Sequence, residues 1–204
     1  LGFLSAGKYF LMNNGPYYPN YDIPFDWDKA NPNIFFQPGP ARGWICRSPL
    51  TYDKWIPSVL FLTHYLPDDP YENQSMTIGS LILGQNGIWG DLPAISDTGI
   101  DFMHLCLSKY KEVREDMTAQ PLLRNGQPGS SPEIYEKINE HTGRGAVVIF
   151  ATQPGKYRYV TRIKPNRHVW HTKGVSVQFD TRGLAIVEAT FDRDEAKIVF
   201  FGVN

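Results

Sequence analysis

The stretch Ser58–Leu92 constrains this chain more than any other. Ser58–Leu62 is an apolar run that reads as a buried strand, and it stops at Thr63-His64-Tyr65. An acidic, proline-rich loop, Leu66–Pro70, follows. Next comes a helical pattern in which Met76, Ile78, Leu81 and Ile82 share one side. Gly84 and Gly87 break it, and a short apolar strand, Ile88-Trp89, runs into Gly90-Asp91-Leu92. The order strand, helix, strand with short connections is that of one βαβ unit, whose two strands lie parallel. In a parallel sheet covered by helices, reactive groups gather where strands end. His64, Asp68, Asp69 and Asp91 are therefore expected at one rim.

Upstream, Lys8–Met12 reads as a buried strand that enters a loop signal, Asn13-Asn14-Gly15-Pro16. Tyr17–Pro40 is rich in Pro, Asn and aromatic residues. Its 24 residues are long for a loop in a compact domain, and loops of that length tend to be functional. Asn13, Asn14, Tyr17, Tyr18, Asp22, Asp26 and Asp28 are its polar and aromatic candidates. Arg42–Ile56 holds a short helix interrupted by Pro49. Aromatic residues make up 14% of the chain and concentrate in this first third. Rings beside carboxylates and amides suit sugars, which have apolar faces and hydroxyl rims. The same rings also serve to pack loops onto a core.

Downstream, Ser96 can cap a helix with Asp97 in its first turn. Ile100, Met103, Leu107, Tyr110, Val113 and Met117 recur at three- and four-residue steps. That single apolar stripe predicts a helix near Thr98–Met117. Leu123–Pro132 is a linker or turn cluster. Short strands separated by turns follow, near Ile134–Ile138, Gly145–Thr152, Lys156–Ile163, Val169–Trp170, Val175–Phe179, Leu184–Phe191 and Lys197–Val203. Pro154-Gly155 and Asp192–Glu195 are the turn signals between neighbours. Repeated short strands with frequent turns predict an antiparallel β-sandwich. The domain boundary is placed near Gln120, giving residues 1–119 and 120–204.

The remaining signals mostly exclude. Apolar content of 42% and a net charge of −1 describe a globular chain without the basic surplus that nucleic acid demands. No run of about 18 apolar residues is present, so no membrane span is expected. The first residue is Leu1 and no signal peptide is visible, which reads as a processed product or a fragment. Cys46 and Cys106 are too few for a disulfide framework and read as buried free thiols. The sequon Asn73-Gln74-Ser75 is a short pattern that carries little weight. No Gly-rich phosphate loop follows a strand and no His pair clusters. Neither a metal nor a cofactor is expected.

Taken together, Thr63-His64-Tyr65 at a strand end, the helix before Gly87-Ile88-Trp89-Gly90-Asp91-Leu92, Ile95-Ser96-Asp97 opening a long helix that finishes in Tyr110-Lys111-Glu112-Val113-Arg114, and the strand Ala146-Val147-Val148-Ile149-Phe150 resemble the C-terminal end of an α-galactosidase-type glycoside hydrolase. The likeness covers roughly Ser58–Asn204. It implies an α/β part followed by an all-β part: the last βα units of a (β/α)8 barrel (residues 1–119), then an antiparallel β-sandwich (residues 120–204). A whole barrel takes about 250 residues, and this chain offers about three parallel strands. An upstream barrel segment or a partner chain is thus expected. The cellular location stays open, with a periplasmic or extracellular one suspected.

Enzymes of that group are retaining and use two carboxylates about 5 Å apart. The resemblance puts the nucleophile on a mid-barrel strand that this chain does not contain. It puts Asn13 at the strand end where the acid/base Asp would stand. An amide cannot protonate a leaving oxygen. Either Asp22, Asp26 or Asp28 supplies that proton, or the acid is absent, and Asp22 is the first candidate. Asn14, Tyr17, His64 and Trp89 are the candidates for contact with a carbohydrate substrate. His64 has two readings, a sugar hydroxyl partner or a ring satisfied by its own loop. Asp91 reads first as a cap for the next segment or a residue that holds the barrel, and only second as a group in the site; Asp68-Asp69 reads first as a solvated turn. Two functions follow: the C-terminal portion of an exo-acting glycosidase, inactive when isolated, or a non-catalytic carbohydrate-binding or assembly module derived from one.

Overall fold

A computed structural model describes residues 50, 62–64, 71–85, 87–89, 93, 95–127 and 130–204. The expected strand at Lys8–Met12, the aromatic loop Tyr17–Pro40, the helix expected in Arg42–Ile56 and Cys46 lie outside the described residues, apart from Leu50. The chain divides into two compact units, residues 1–100 and 101–204. The division falls inside one helix, Asp97–Thr118.

In the first unit, β1 (Leu62–His64) leads through helix α1 (Tyr71–Gly84) to β2 (Gly87–Trp89). The two strands pair in parallel, Leu62 with Gly87, Thr63 with Ile88 and His64 with Trp89. This is the connectivity a strand–helix–strand order imposes, since a tight hairpin cannot hold an intervening helix. The helix departs from the expected one-sided pattern. Met76, Ile78, Ile82 and Leu83 are buried, and so are Gln74, Ser75, Thr77 and Ser80 on its other sides. Small hydroxyl residues let a helix be enclosed all round, and each of these four has a polar partner. The helix stops as expected at Gly84, but the left-handed position that ends it belongs to Gln85 (φ 55°). Gln85 N donates to Leu81 O at 2.7 Å.

Helix α2 (Asp97–Thr118) matches its expected span to within a residue at each end. Ser96 Oγ accepts from Gly99 N at 3.3 Å, and Asp97 stands in the first turn, as the sequence indicates. Its buried stripe is shorter than expected. Of its members Tyr110, Val113 and Met117 are buried, Met103 and Leu107 are half-buried, and Ile100 is 47% exposed; Cys106 is buried beside them.

The second unit carries two antiparallel sheets. The larger orders its strands β3-β4-β5-β10-β7 and the smaller β6-β9-β8. The strands are β3 (Leu123–Asn125), β4 (Glu133–Ile138), β5 (Gly145–Ala151), β6 (Gly155–Val160), β7 (Val169–His171), β8 (Val175–Phe179), β9 (Ala185–Phe191) and β10 (Glu195–Phe201). Seven of the eight match expected strands. The eighth, β3, corrects the reading of Leu123–Pro132 as a linker: Leu123, Arg124 and Asn125 pair with Glu136, Tyr135 and Ile134. Three residues are too few to show alternation, so only the pairing reveals a strand there.

The core lies between the sheets. Ile134, Ile138, Val147, Ile149, Val199 and Phe201 of the larger sheet meet Tyr159, Ala185, Val187, Ala189 and Phe191 of the smaller. The smaller sheet keeps a wet outer face, and β8 and β9 alternate accordingly. The larger sheet is buried on both faces: β4, β5 and β10 are buried at every position. Tyr135 meets Phe150 edge-on at 5.9 Å on the side opposite the core. Gly145 opens β5 at φ +152°, where an added Cβ would stand 2.2 Å from Lys137 O, so only glycine lets the two strands close.

Candidate functional site

The parallel pair sets the geometry of the candidate site. His64 and Trp89 are the last residues of β1 and β2, and they are register partners. Neighbouring strands run about 4.8 Å apart, so the two positions adjoin at one strand-end rim. Gly87-Ile88-Trp89 reaches that rim because α1 returns the chain to the start of a strand alongside β1. An imidazole offers a hydrogen-bonding ring and an indole an apolar platform with one N–H. Among the described residues, these two sequence candidates are brought together by the backbone register. Asn14, Tyr17 and Asp22 lie outside the described residues, as do Asn13, Asp26, Asp28, Asp68, Asp69 and Asp91.

The second unit holds charged groups that the sequence reading passed over, and their partners make them structural. Glu136 is fully buried among the core residues of β4. Its carboxylate accepts from Tyr159 Oη at 2.7 Å, Arg162 N at 2.8 Å and Ile163 N at 2.8 Å. This ties the end of β6 to the opposite sheet. Burial, with Glu136 beside it, pushes the Tyr159 phenol up. On the other face of β4, Tyr135 donates to buried Glu133, and burial pushes the Tyr135 phenol up too. Their signal in the sequence is the charge inside Glu133–Ile138, where a strand with both faces buried admits only paired ions.

Helix α2 is clamped to the β4–β5 turn. Arg144 Nε donates to Asp116 Oδ2 at 2.9 Å, Thr142 Oγ1 donates to Asp116 Oδ1 at 2.7 Å, and Arg144 Nη2 donates to Glu112 O. Glu112 accepts from Asn204 N at 2.9 Å, which holds its carboxyl below the usual range. Cys106 is a free, buried thiol, pushed up to about 12 by burial. His141 and His168 are exposed, and His171 lies on the edge strand β7.

An open groove of about 410 Å³ runs over the outer face of the smaller sheet, past Lys156, Arg158, Ser176, Glu188 and Thr190. Arg158 Nε stands 3.8 Å from Glu188 Oε1, with both side chains more than half exposed. Such a pair is weakly held in water, and the groove has no enclosed wall. Among the described residues, no group of three or more His, Cys, Asp or Glu side chains is arranged to hold a metal. No described helix is long and apolar enough to cross a membrane. No protein-family model matches the chain, and no curated protein matches it.

Proposed function

We propose that this chain is the C-terminal portion of a carbohydrate-active glycoside hydrolase, exo-acting and α-galactosidase-like. It would contribute the last βα units of a (β/α)8 barrel, one side of the sugar pocket and a β-sandwich. The observation that carries the reading is the parallel register that sets His64 beside Trp89 at the strand ends. An antiparallel or separated pair would have removed the barrel rim on which the reading depends. Helix α2 and the two antiparallel sheets that follow support the same order of parts.

On this reading His64 donates to or accepts from a sugar hydroxyl, and Trp89 lies against the apolar face of the ring. Asn14 and Tyr17 complete the contact. Asp22 protonates the leaving oxygen, then draws the proton from water in the second step, through an oxocarbenium-like transition state. The nucleophile comes from an upstream barrel segment or a partner chain. The second reading, a non-catalytic carbohydrate-binding or assembly module, is favoured by Asn13, an amide at the strand end where the resemblance calls for an acid.

Aryl α-galactoside hydrolysis and sugar titration separate these readings. The 204-residue chain alone should turn over no substrate, while the protein that includes the upstream segment does. In that longer protein, Asp22→Asn should lower kcat by at least about a hundredfold. An unchanged rate removes Asp22 from the mechanism. Galactose binding, followed by tryptophan fluorescence, without turnover in the longer protein selects the binding module.

A further inference from the structure

The two sheets of the second unit have four edges, and they are not equally protected. An exposed strand edge invites another strand unless it is short, charged or covered. In the larger sheet the edges are β3 and β7, three residues each. In the smaller sheet they are β6 and β8. Thr161 N donates to Ala185 O, which fixes the hydrogen-bonded pairs of β6 with β9 at odd-numbered β6 residues. The outward backbone groups of β6 then belong to Lys156, Arg158 and Val160. Lys156 and Arg158 are exposed, and their charges guard that edge.

Among the described residues no strand covers β8 and none of its own side chains is charged, although Arg167 stands over the Phe179 ring at 5.4 Å. Thr190 N donates to Gly174 O and Asp180 N to Leu184 O, both at 2.9 Å. With the register Val175–Ala189 to Phe179–Ala185, Ser176 and Gln178 spend their backbone groups on β9. The N–H and C=O groups of Val175, Val177 and Phe179 therefore face away from β9. No strand among the described residues lies there. The edge is five residues long and contains no charge and no proline.

Its pattern is also symmetric about Val177. In an antiparallel pair of two copies centred on Val177, Val175 of one opposes Phe179 of the other, and Ser176 opposes Gln178. Every outward N–H then meets an outward C=O. The half-buried apolar side chains stay on the core side and the exposed polar ones on the water side. A two-fold pairing opposes each residue to one at the mirrored position, so like charges within the strand would repel; from Gly174 to Phe179 there are none. The geometry points to β8 as a self-association edge: two copies of this chain join β8 to β8, antiparallel, and close a six-stranded sheet.

Strand pairing over five residues makes a small interface of the weak, transient class. The 204-residue protein should sediment as a monomer–dimer equilibrium whose dimer fraction rises with concentration. Amide exchange at Val175, Val177 and Phe179 should slow as concentration rises, and that at Ser176 and Gln178, already bonded to β9, should not change. Ser176→Lys with Gln178→Lys sets lysine against lysine across the two-fold and should weaken association at least about tenfold. Ser176→Lys with Gln178→Glu sets opposite charges there and should restore it. Val177→Pro removes one outward N–H without touching a bond to β9, and should leave a folded monomer. A wild-type protein that stays monomeric, open-ended oligomers, exchange that slows elsewhere, or a double-lysine variant that still dimerises would each overturn the proposal.

Discussion

Lys197 Nζ lies 2.6 Å from Glu195 Oε1 on β10, with both side chains more than nine-tenths buried. The ammonium also stands 5.6 Å from the Phe191 ring centroid. Both residues project from the same side of the strand as Val199 and Phe201, which are core residues. An ion pair thus sits at one end of the sandwich interior. Its attraction is offset by the cost of stripping water from two charges, and what holds it is that neither partner can be lost alone.

Glu195→Ala should therefore destabilise the fold by about 3–5 kcal/mol, because it strands a buried ammonium. Replacing both partners, Glu195→Leu with Lys197→Met, should recover most of that loss. Urea unfolding followed by far-UV circular dichroism measures both. Additive losses would mean that the two side chains act independently.

Glu136 should be a second carboxylate on which the fold depends. Glu136→Ala leaves the Tyr159 hydroxyl and the Arg162 and Ile163 amides without their acceptor, at a cost of about 3–5 kcal/mol. Tyr159→Phe removes one donor of the three and should cost about 1–2 kcal/mol. Thermal melts of the two variants should rank in that order. Equal melting points would show that the two backbone amides contribute nothing.

Alkaline pH should unfold the protein partly through Cys106. Its thiol is raised from 9.0 to about 12 by burial. Below pH 9 both folded and unfolded chains keep the proton, and the full contribution is present. Above pH 9 the unfolded chain ionises and the folded one does not, so stability falls until pH passes the folded value. The slope from this group is up to about 1.4 kcal/mol per pH unit. Tyr135 and Tyr159, raised in the same sense, add to the loss above pH 10. Cys106→Ala should flatten the fall in melting temperature between pH 9 and 12. The same burial should keep Cys106 unreactive to thiol reagents at pH 8 unless urea is present.

Several elements were legible in the sequence because their signal is local. The six-residue stripe predicts helix α2, Ser96 marks its start, and period-two alternation places Val175–Phe179 at its observed ends. Glu133–Ile138 and Lys197 do not alternate, since both faces of the larger sheet are buried and no face needs to be polar. Ile100 fits the helical period yet is exposed, because periodicity says which residues share a side and not which side is covered.

Residue patterning was enough for the order of the described elements apart from β3, and for the parallel sense of β1 and β2, through steps of two and about 3.6 residues and a helix too long for a hairpin. Only the folded chain shows that β3 is a strand, that α1 is buried at every position from Gln74 to Ser80, and that Glu136 reaches across to Tyr159 and the Arg162 amide. It also decided that His64 falls beside Trp89. The reason is the range of the forces involved: turn chemistry and side-chain periodicity act within a few residues, whereas register and burial depend on which separate segments of the chain come to lie against each other.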